Sequence, residues 1–286
     1  MKHRSTATAV VLTAAVLWLY RATLSSLVRQ WVSDDNYSHG FFVVPLALYF
    51  AWERRDAIRR ASMRPGIGGG FLIVFSLAIW MAGLLGAELF LTRVSIVGVI
   101  AGLVWFVWGR EHLRLLAFPI AFLLLMIPLP AILFNQIAFP LQLLASRVGE
   151  TAIAAAGIPV LREGNVLQLP TRSLEVAEAC SGIRSLVSLV MLAIVLGYFT
   201  ERRTRGRVLI ACAAIPIAIL ANAVRVAGTG IASEWISPAA AEGFFHTFSG
   251  WLMFVVAFFA LLGVQRAIRA TETWRLRPRR ALVEAP

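Results

Sequence analysis

Long apolar runs, separated by short arginine-rich segments, constrain this chain more than any other feature of its sequence. A helix that crosses a bilayer needs about 20 mostly apolar residues. Eight stretches approach that requirement: residues 7–28, 38–54, 69–87, 91–108, 115–133, 182–199, 208–228 and 244–264. The second has the shortest uninterrupted apolar core, the 12 residues from Phe41 to Trp52, so it must recruit polar flanks or lie partly re-entrant. The pattern predicts an all-α, polytopic integral membrane protein with about eight transmembrane helices.

Composition excludes most other classes of protein. The 286 residues are 59% hydrophobic and only 15% charged, whereas soluble domains are about half apolar. Two cysteines, Cys180 and Cys212, are too few for a disulfide scaffold. Collagen-like, coiled-coil, disordered and small secreted proteins are therefore excluded.

The basic residues indicate the orientation of the chain in the membrane. Lysine and arginine total 27 and the net charge is +12, a value that in a soluble protein would suggest nucleic-acid binding. If the N-terminus is cytoplasmic, however, 19 of the 27 fall in inner segments and six in outer ones. This bias predicts that both termini are cytoplasmic, and we expect contact with membrane lipids but no nucleic-acid partner.

The chain outside the spans is short, so we expect one transmembrane domain over residues 1–286. The first span has no convincing cleavage site after it, which favours an uncleaved helix over a signal peptide. The largest outer loop, 134–181, begins with an apolar stretch at 134–156 that is typical of an interfacial helix, and a small β-hairpin is predicted around Gly164 and Asn165. Residues 265–286 form an arginine-rich cytoplasmic tail.

Three polar segments interrupt the apolar runs near the predicted outer face, where ionisable groups are costly and tend to be functional. They are 178–184, 222–225 and 246–250, on three consecutive spans. The predicted topology gives Cys180, Arg225 and His246 similar depth at one membrane face, so these side chains can converge. A thiolate that attacks a carbonyl, an imidazole that moves protons and a guanidinium that stabilises an anion suffice for acyl transfer.

Neighbouring residues can support this chemistry. Asn222 lies on the same helical side as Arg225 and could fix its guanidinium or donate to an oxyanion. Arg184 could flank the thiol or pair with Glu178. Ser181 and Gly182 are equally consistent with an ordinary helix start, in which case Cys180 would be a small apolar filler, as we expect for Cys212.

A further polar cluster, residues 34–40, is predicted on the same side of the membrane. Within it, Tyr37 and His39 are possible substrate contacts, although an ordinary turn with an N-cap explains the segment equally well. One histidine and two carboxylates have no further ligand at a suitable spacing, so we expect no metal site.

At these residues the chain resembles the exosortase/archaeosortase family of eight-span membrane proteins. The matching segments are Glu178-Ala-Cys180-Ser-Gly-Ile-Arg184, Asn222-Ala-Val-Arg225, His246-Thr-Phe-Ser-Gly250 and Asn36-Tyr-Ser-His-Gly-Phe-Phe-Val-Val-Pro45. Each segment is short, but four in register along the chain make a specific signal.

The resemblance implies a cysteine transpeptidase or protease without a cofactor. Cys180 would be the nucleophile, His246 the general acid and base, and Arg225 the stabiliser of the oxyanion or thiolate. The implied partners are exported proteins with a C-terminal tail made of a Pro-Glu-Pro motif, a transmembrane helix and a basic cluster. The implied location is the bacterial cytoplasmic (inner) membrane, with the site facing the periplasm or cell exterior.

Two other functions remain open from the residues alone. In a transporter or lipid-binding protein, Arg225 and Arg184 would bind an anionic group and Cys180 would be incidental. In a membrane acyltransferase, Cys180 would carry an acyl group.

Overall fold

The computed structural model describes residues 2–176, 182–237 and 243–281, and the side chains of residues 11–176, 182–237 and 248–271 within them. The helices are α1 (Lys2–Leu19), α2 (Arg21–Ser33), α3 (Gly40–Glu53), α4 (Arg55–Arg60), α5 (Ile67–Leu85), α6 (Leu89–Trp108), α7 (Arg110–Phe122), α8 (Ala131–Ala155), α9 (Ile183–Thr200), α10 (Thr204–Trp235) and α11 (Gly243–Ala281). Three short strands are β1 (Leu161–Glu163), β2 (Val166–Gln168) and β3 (Ser173–Glu175). The chain forms two compact units, residues 1–131 and 132–286.

The all-α, polytopic membrane fold predicted from the apolar runs is confirmed. Within the described ranges, six helices are long and apolar enough to cross a bilayer: α5, α6, α8, α9, α10 and α11. A seventh candidate is the pair α1 and α2, whose described parts meet at an angle of 62°. The count of eight and the cytoplasmic position of the termini stay predictions.

The first unit is built around the α5–α6 hairpin, whose backbones approach closely at glycines. Any side chain at Gly69 would overlap the backbone of Phe106, and a Cβ at Gly83 would lie 2.8 Å from the backbone nitrogen of Thr92. Because lipid chains are as apolar as the helices, helix association in a bilayer depends on close packing of this kind.

The first predicted span is divided where Tyr20 interrupts the helix. Tyr20 is fully buried against α6, and its hydroxyl forms a 2.9 Å hydrogen bond with the Ser95 hydroxyl. Neither proline nor glycine marks this position, so the break depends on a tertiary contact.

Two predicted spans of this unit, 38–54 and 115–133, are shorter helices in the structure. The helix α3 has 14 residues and begins at Gly40, so the polar residues that precede it do not lengthen it. The helix α7 has 13 residues and continues as a 3₁₀ turn over Leu123–Met126. The prediction that a helix covers 127–130 was wrong, because Pro128 and Pro130 disfavour helical backbone at the residues before them.

The two short helices run antiparallel and are joined at both ends. Near one end His39 Nε2, at the start of α3, is 3.1 Å from the Leu125 carbonyl, and near the other Arg54 Nη1 donates to the Leu115 carbonyl of α7 at 2.7 Å. The helices α3 and α7 therefore lie side by side and extend between the same two ends of the first unit.

In the second unit, α9, α10 and α11 pack around a core of small and branched residues. The core consists of Leu189, Ala193, Ile210, Ala214, Ala218, Ala257 and Leu261. The alanines of α10 recur at every fourth position, which keeps one narrow face toward α9 and α11. This packing brings together the three helices on which the sequence places its polar segments.

The predicted outer loop contains a helix and a small antiparallel sheet. The helix α8 covers most of the predicted interfacial stretch, and its 25 residues are also long enough to cross a bilayer. The predicted hairpin is confirmed: β1 pairs with β2 in the register Glu163 to Val166, across Gly164 and Asn165. A third strand, β3, pairs with β2 and was missed from sequence.

Candidate functional site

Four of the predicted site residues of the second unit lie within the part with described side chains: Gly182, Arg184, Asn222 and Arg225. The helix α11 includes His246, whose side chain lies outside that part. Glu178, Cys180 and Ser181 lie outside the described residues altogether. The geometry of the site is therefore built from the residues that flank the cysteine and the histidine.

The start of α9 lies against α10 at Asn222. Gly182 caps α9 in the left-handed region, with φ 77°, a conformation that glycine adopts without steric cost. A Cβ there would lie 2.7 Å from Cγ of Asn222, well inside contact distance. The sequence therefore needs glycine at position 182 for both backbone conformation and space, and this contact fixes the chain two residues after Cys180 next to Asn222.

Arg225 lies one helical turn beyond Asn222 and faces α11. A Cβ at Gly250 would lie 3.3 Å from Cζ of Arg225, so the guanidinium packs on the bare backbone of α11. Gly250 follows His246 by four residues within the same continuous helix, and residues four apart share a helix face. The guanidinium is thus next to the face of α11 that carries His246.

A small cavity opens beside this contact between α9, α10 and α11. Its polar lining comes from Ser185, Asn222 and Arg225, and its apolar lining includes Leu189, Met253 and Phe254. The free volume of about 10 Å³ has room for about one water-sized group, so the cavity is a gap beside the polar side chains. Ser185 was missed from sequence, where only the helical periodicity of α9 could have indicated it.

A second small cavity lies on the other side of the Asn222 amide. It is lined by Gly182, Leu186 and Ala218 together with Leu141 and Ala145 of α8. Asn222 lines both cavities and is itself buried. Its side chain therefore lies between the start of α9, the face of α8 and the helix that carries Arg225.

Arg184 lies in the first turn of α9, half-buried, two residues after Gly182. Its predicted partner Glu178 lies outside the described residues, so their pairing stays a prediction.

Tyr37 and His39 belong to the first unit. His39 is 7% exposed, and its Nε2 is 3.1 Å from the Leu125 carbonyl, a hydrogen bond that joins the start of α3 to the turn after α7. The rings of Tyr37 and His39 have centroids 6.4 Å apart. The described contacts give His39 a structural part, and a substrate contact for either residue stays a prediction.

Within the described ranges, no group of three histidine, cysteine, aspartate or glutamate side chains is placed to bind a metal ion.

Comparison with known proteins identifies one family. Residues 31–263, a range that includes parts of both units, match the family model of the transmembrane exosortases. No curated protein and no solved structure is similar to the chain. The family match supports a membrane transpeptidase or protease role in general terms.

Proposed function

The chain belongs to the transmembrane exosortase family, and on this premise we propose that it is a membrane-embedded cysteine transpeptidase or protease for the C-terminal sorting tails of exported proteins. The substrate tail has a Pro-Glu-Pro type motif, a transmembrane helix and a basic cluster. The transmembrane helix of such a tail would present the motif at the outer face of the cytoplasmic membrane, where the site is expected.

The observation that supports this proposal is the meeting of three helices around Arg225. The chain beside Cys180 is packed on Asn222, and the guanidinium of Arg225 is packed on Gly250, one turn from His246. Nucleophile, base and anion-stabilising group need this proximity to act on one carbonyl. The transporter alternative does not require this proximity, whereas the acyltransferase alternative shares the chemistry and differs in its substrate.

In the acylation step, His246 accepts the proton of the Cys180 thiol, and the sulfur attacks the carbonyl carbon of the scissile peptide bond. Arg225, with the Asn222 amide, stabilises the negative charge on the carbonyl oxygen. When the intermediate collapses, the C–N bond breaks and His246 donates its proton to the leaving amine. The product is a thioester between Cys180 and the exported protein.

In the second step an amine or water attacks the thioester. His246 accepts a proton from this nucleophile, the C–S bond breaks, and the proton returns to the cysteine sulfur. An amine gives transpeptidation and water gives hydrolysis. The enzyme is regenerated with no net change in its own charge.

The decisive experiment replaces each cysteine separately. In membranes that contain the full-length enzyme and a model substrate with the complete sorting tail, Cys180→Ala should leave the substrate uncut. Cys212→Ala is the matched control, because Cys212 is exposed on α10, and it should process normally. Normal processing by a Cys180→Ala protein that inserts into the membrane would contradict the proposal.

Trapping the intermediate distinguishes the remaining functions. With a limiting acceptor, the protease should accumulate a hydroxylamine-sensitive adduct that contains the exported protein, and an acyltransferase would give a fatty thioester instead. An anion transporter would lose function in Arg225→Ala while Cys180→Ala stayed active.

A further inference from the structure

The three-stranded sheet ends at Glu175, two residues before the segment 177–181 that carries Cys180. Asn165 lies in the turn between β1 and β2 and bonds twice to Val176, the residue directly after β3. The Val176 N–H donates to the Asn165 carbonyl at 2.9 Å, and Asn165 Nδ2 donates to the Val176 carbonyl at 3.3 Å. The second bond depends on the side chain of Asn165.

The turn that carries Asn165 is held on α8. Arg162 forms an ion pair with Glu150 of α8, with 2.9 Å between Nε and Oε2, and its Nη1 donates to the Gly164 carbonyl at 3.1 Å. The side chains of Arg162 and Glu150 are only partly exposed. This arrangement limits the movement of the turn relative to α8.

Val176 is also packed on the helix that carries Arg225. It is 1% exposed and shares an apolar cluster with Leu167 of β2, Ile153 of α8 and Val226 of α10. Val226 directly follows Arg225. A second link lies at the other end of β3, where the Thr171 hydroxyl donates to the Glu234 carboxylate near the end of α10.

The described residues on both sides of Cys180 are therefore held in place. Val176 is fixed by Asn165 and the apolar cluster, and Gly182 is fixed against Asn222. Both fixed points belong to structure that packs on α10, close to Arg225.

We propose that Asn165 is a positioning residue for the reaction, and that the sheet sets the place of Cys180 relative to Arg225 through Val176. This inference rests on the proposed function, because it requires Cys180 to be the nucleophile. A misplacement of about 1 Å at a reacting group can cost on the order of a hundredfold in rate.

The test uses two variants that remove the side-chain donor. Asn165→Asp keeps the shape of the side chain but cannot donate to the Val176 carbonyl when ionised, and Asn165→Ala removes the group. The matched control is Gln168→Ala, an exposed residue of the same sheet. The full-length enzyme is measured in membrane vesicles, in single turnover, with enzyme in saturating excess over the model substrate.

A misfolded fraction lowers the amount of active enzyme but leaves the rate constant at saturation unchanged, so this readout separates positioning from stability. We expect both Asn165 variants to reduce the rate constant at saturation about tenfold or more. The enzyme concentration that gives half of this rate constant should not change when it is expressed as the concentration of active enzyme. Gln168→Ala should match the wild type. Wild-type rate constants for both Asn165 variants, with Cys180→Ala inactive, would overturn the inference alone. Activity of Cys180→Ala would overturn the proposed function and this inference with it.

Discussion

At Gly182, both the backbone conformation and the packing of the candidate site require glycine. Its left-handed φ and its contact with Asn222 each exclude a side chain. We expect Gly182→Ala to lower stability by about 1–2 kcal/mol from backbone strain alone and, in addition, to reduce processing, because Asn222 must move. Thermal unfolding of the detergent-solubilised protein and the rate of substrate cleavage measure the two effects.

Gly157 provides the matched control for this prediction. It has φ 80°, close to that of Gly182, but a Cβ there would meet nothing within 4 Å. Gly157→Ala should therefore show the strain without the loss of processing. Equal processing by the two variants would contradict a specific part for the Gly182–Asn222 contact.

At the residue scale, the sequence identifies the residues proposed for the chemistry better than the residues that hold them in place. Arg225 and Asn222 are identifiable because they interrupt apolar runs at a helical spacing, and in the structure Asn222 contacts the start of α9 and Arg225 contacts α11. Ser185 and Asn165 carry no such signal, since a serine in a helix and an asparagine in a turn are ordinary. Their positions depend on contacts between elements far apart in sequence.

At the element scale, a buried polar group joins α9, α10 and α11 at the end opposite Asn222 and Arg225. Glu201, 4% exposed, directly follows α9 and accepts hydrogen bonds from Gln265 Nε2 at 3.2 Å and Arg269 Nε at 3.3 Å. On α10, a Cβ at Gly206 would lie 3.0 Å from the Glu201 carboxylate. This carboxylate therefore contacts both other helices of the core.

We predict that Glu201→Ala destabilises the protein by about 2 kcal/mol, because Gln265 is buried and would lose its acceptor. The Arg269 ion pair adds little to this figure, since that side chain is half exposed. Glu201→Gln keeps an acceptor for Gln265 and should lose less. Thermal unfolding measures both, with the exposed Glu163→Ala as the control, and an unfolding temperature of Glu201→Ala equal to that of the control would contradict the prediction.

The helices and strands are predictable from the sequence where a single pattern, such as a turn motif or a long apolar run, dominates. Gly164 and Asn165 predict the hairpin, and the long apolar runs of α5, α6, α9 and α10 predict helices. The strand β3 has three residues, too few for an alternating pattern, and exists because β2 offers a free edge. The helix α8 combines apolar and polar residues, so its amphipathic pattern is compatible with an interfacial position and its length with a span.

At the scale of the whole molecule, the distribution of arginines and the connections of α3 and α7 both bear on how the chain is oriented in the membrane. Both helices are too short to pass as spans by length, yet hydrogen bonds join the residues that flank α3 to α7 and to the turn after it, one at each end of the pair. The end near Arg54 carries an excess of arginines, and the opposite end includes residues 34–39 with two aspartates. A cytoplasmic position of the arginine-rich end agrees with the positive-inside rule.

The topology predicted from charge can be tested with single cysteines in a Cys180→Ala, Cys212→Ala background. Met63, Ala87, Gln168 and Arg205 are exposed in the structure, so a cysteine at each should react wherever the reagent has access. On intact spheroplasts, a membrane-impermeant maleimide should label Ala87→Cys and Gln168→Cys, because Ala87 lies at the outer end of the predicted span 69–87 and Gln168 lies in the predicted outer loop 134–181. Met63→Cys and Arg205→Cys should be labelled only after permeabilisation, since their arginine-rich segments are predicted to be cytoplasmic. Labelling of Met63→Cys before permeabilisation would contradict the crossing of α3, and protection of Gln168→Cys would place the sheet, with its link to Cys180, on the cytoplasmic side.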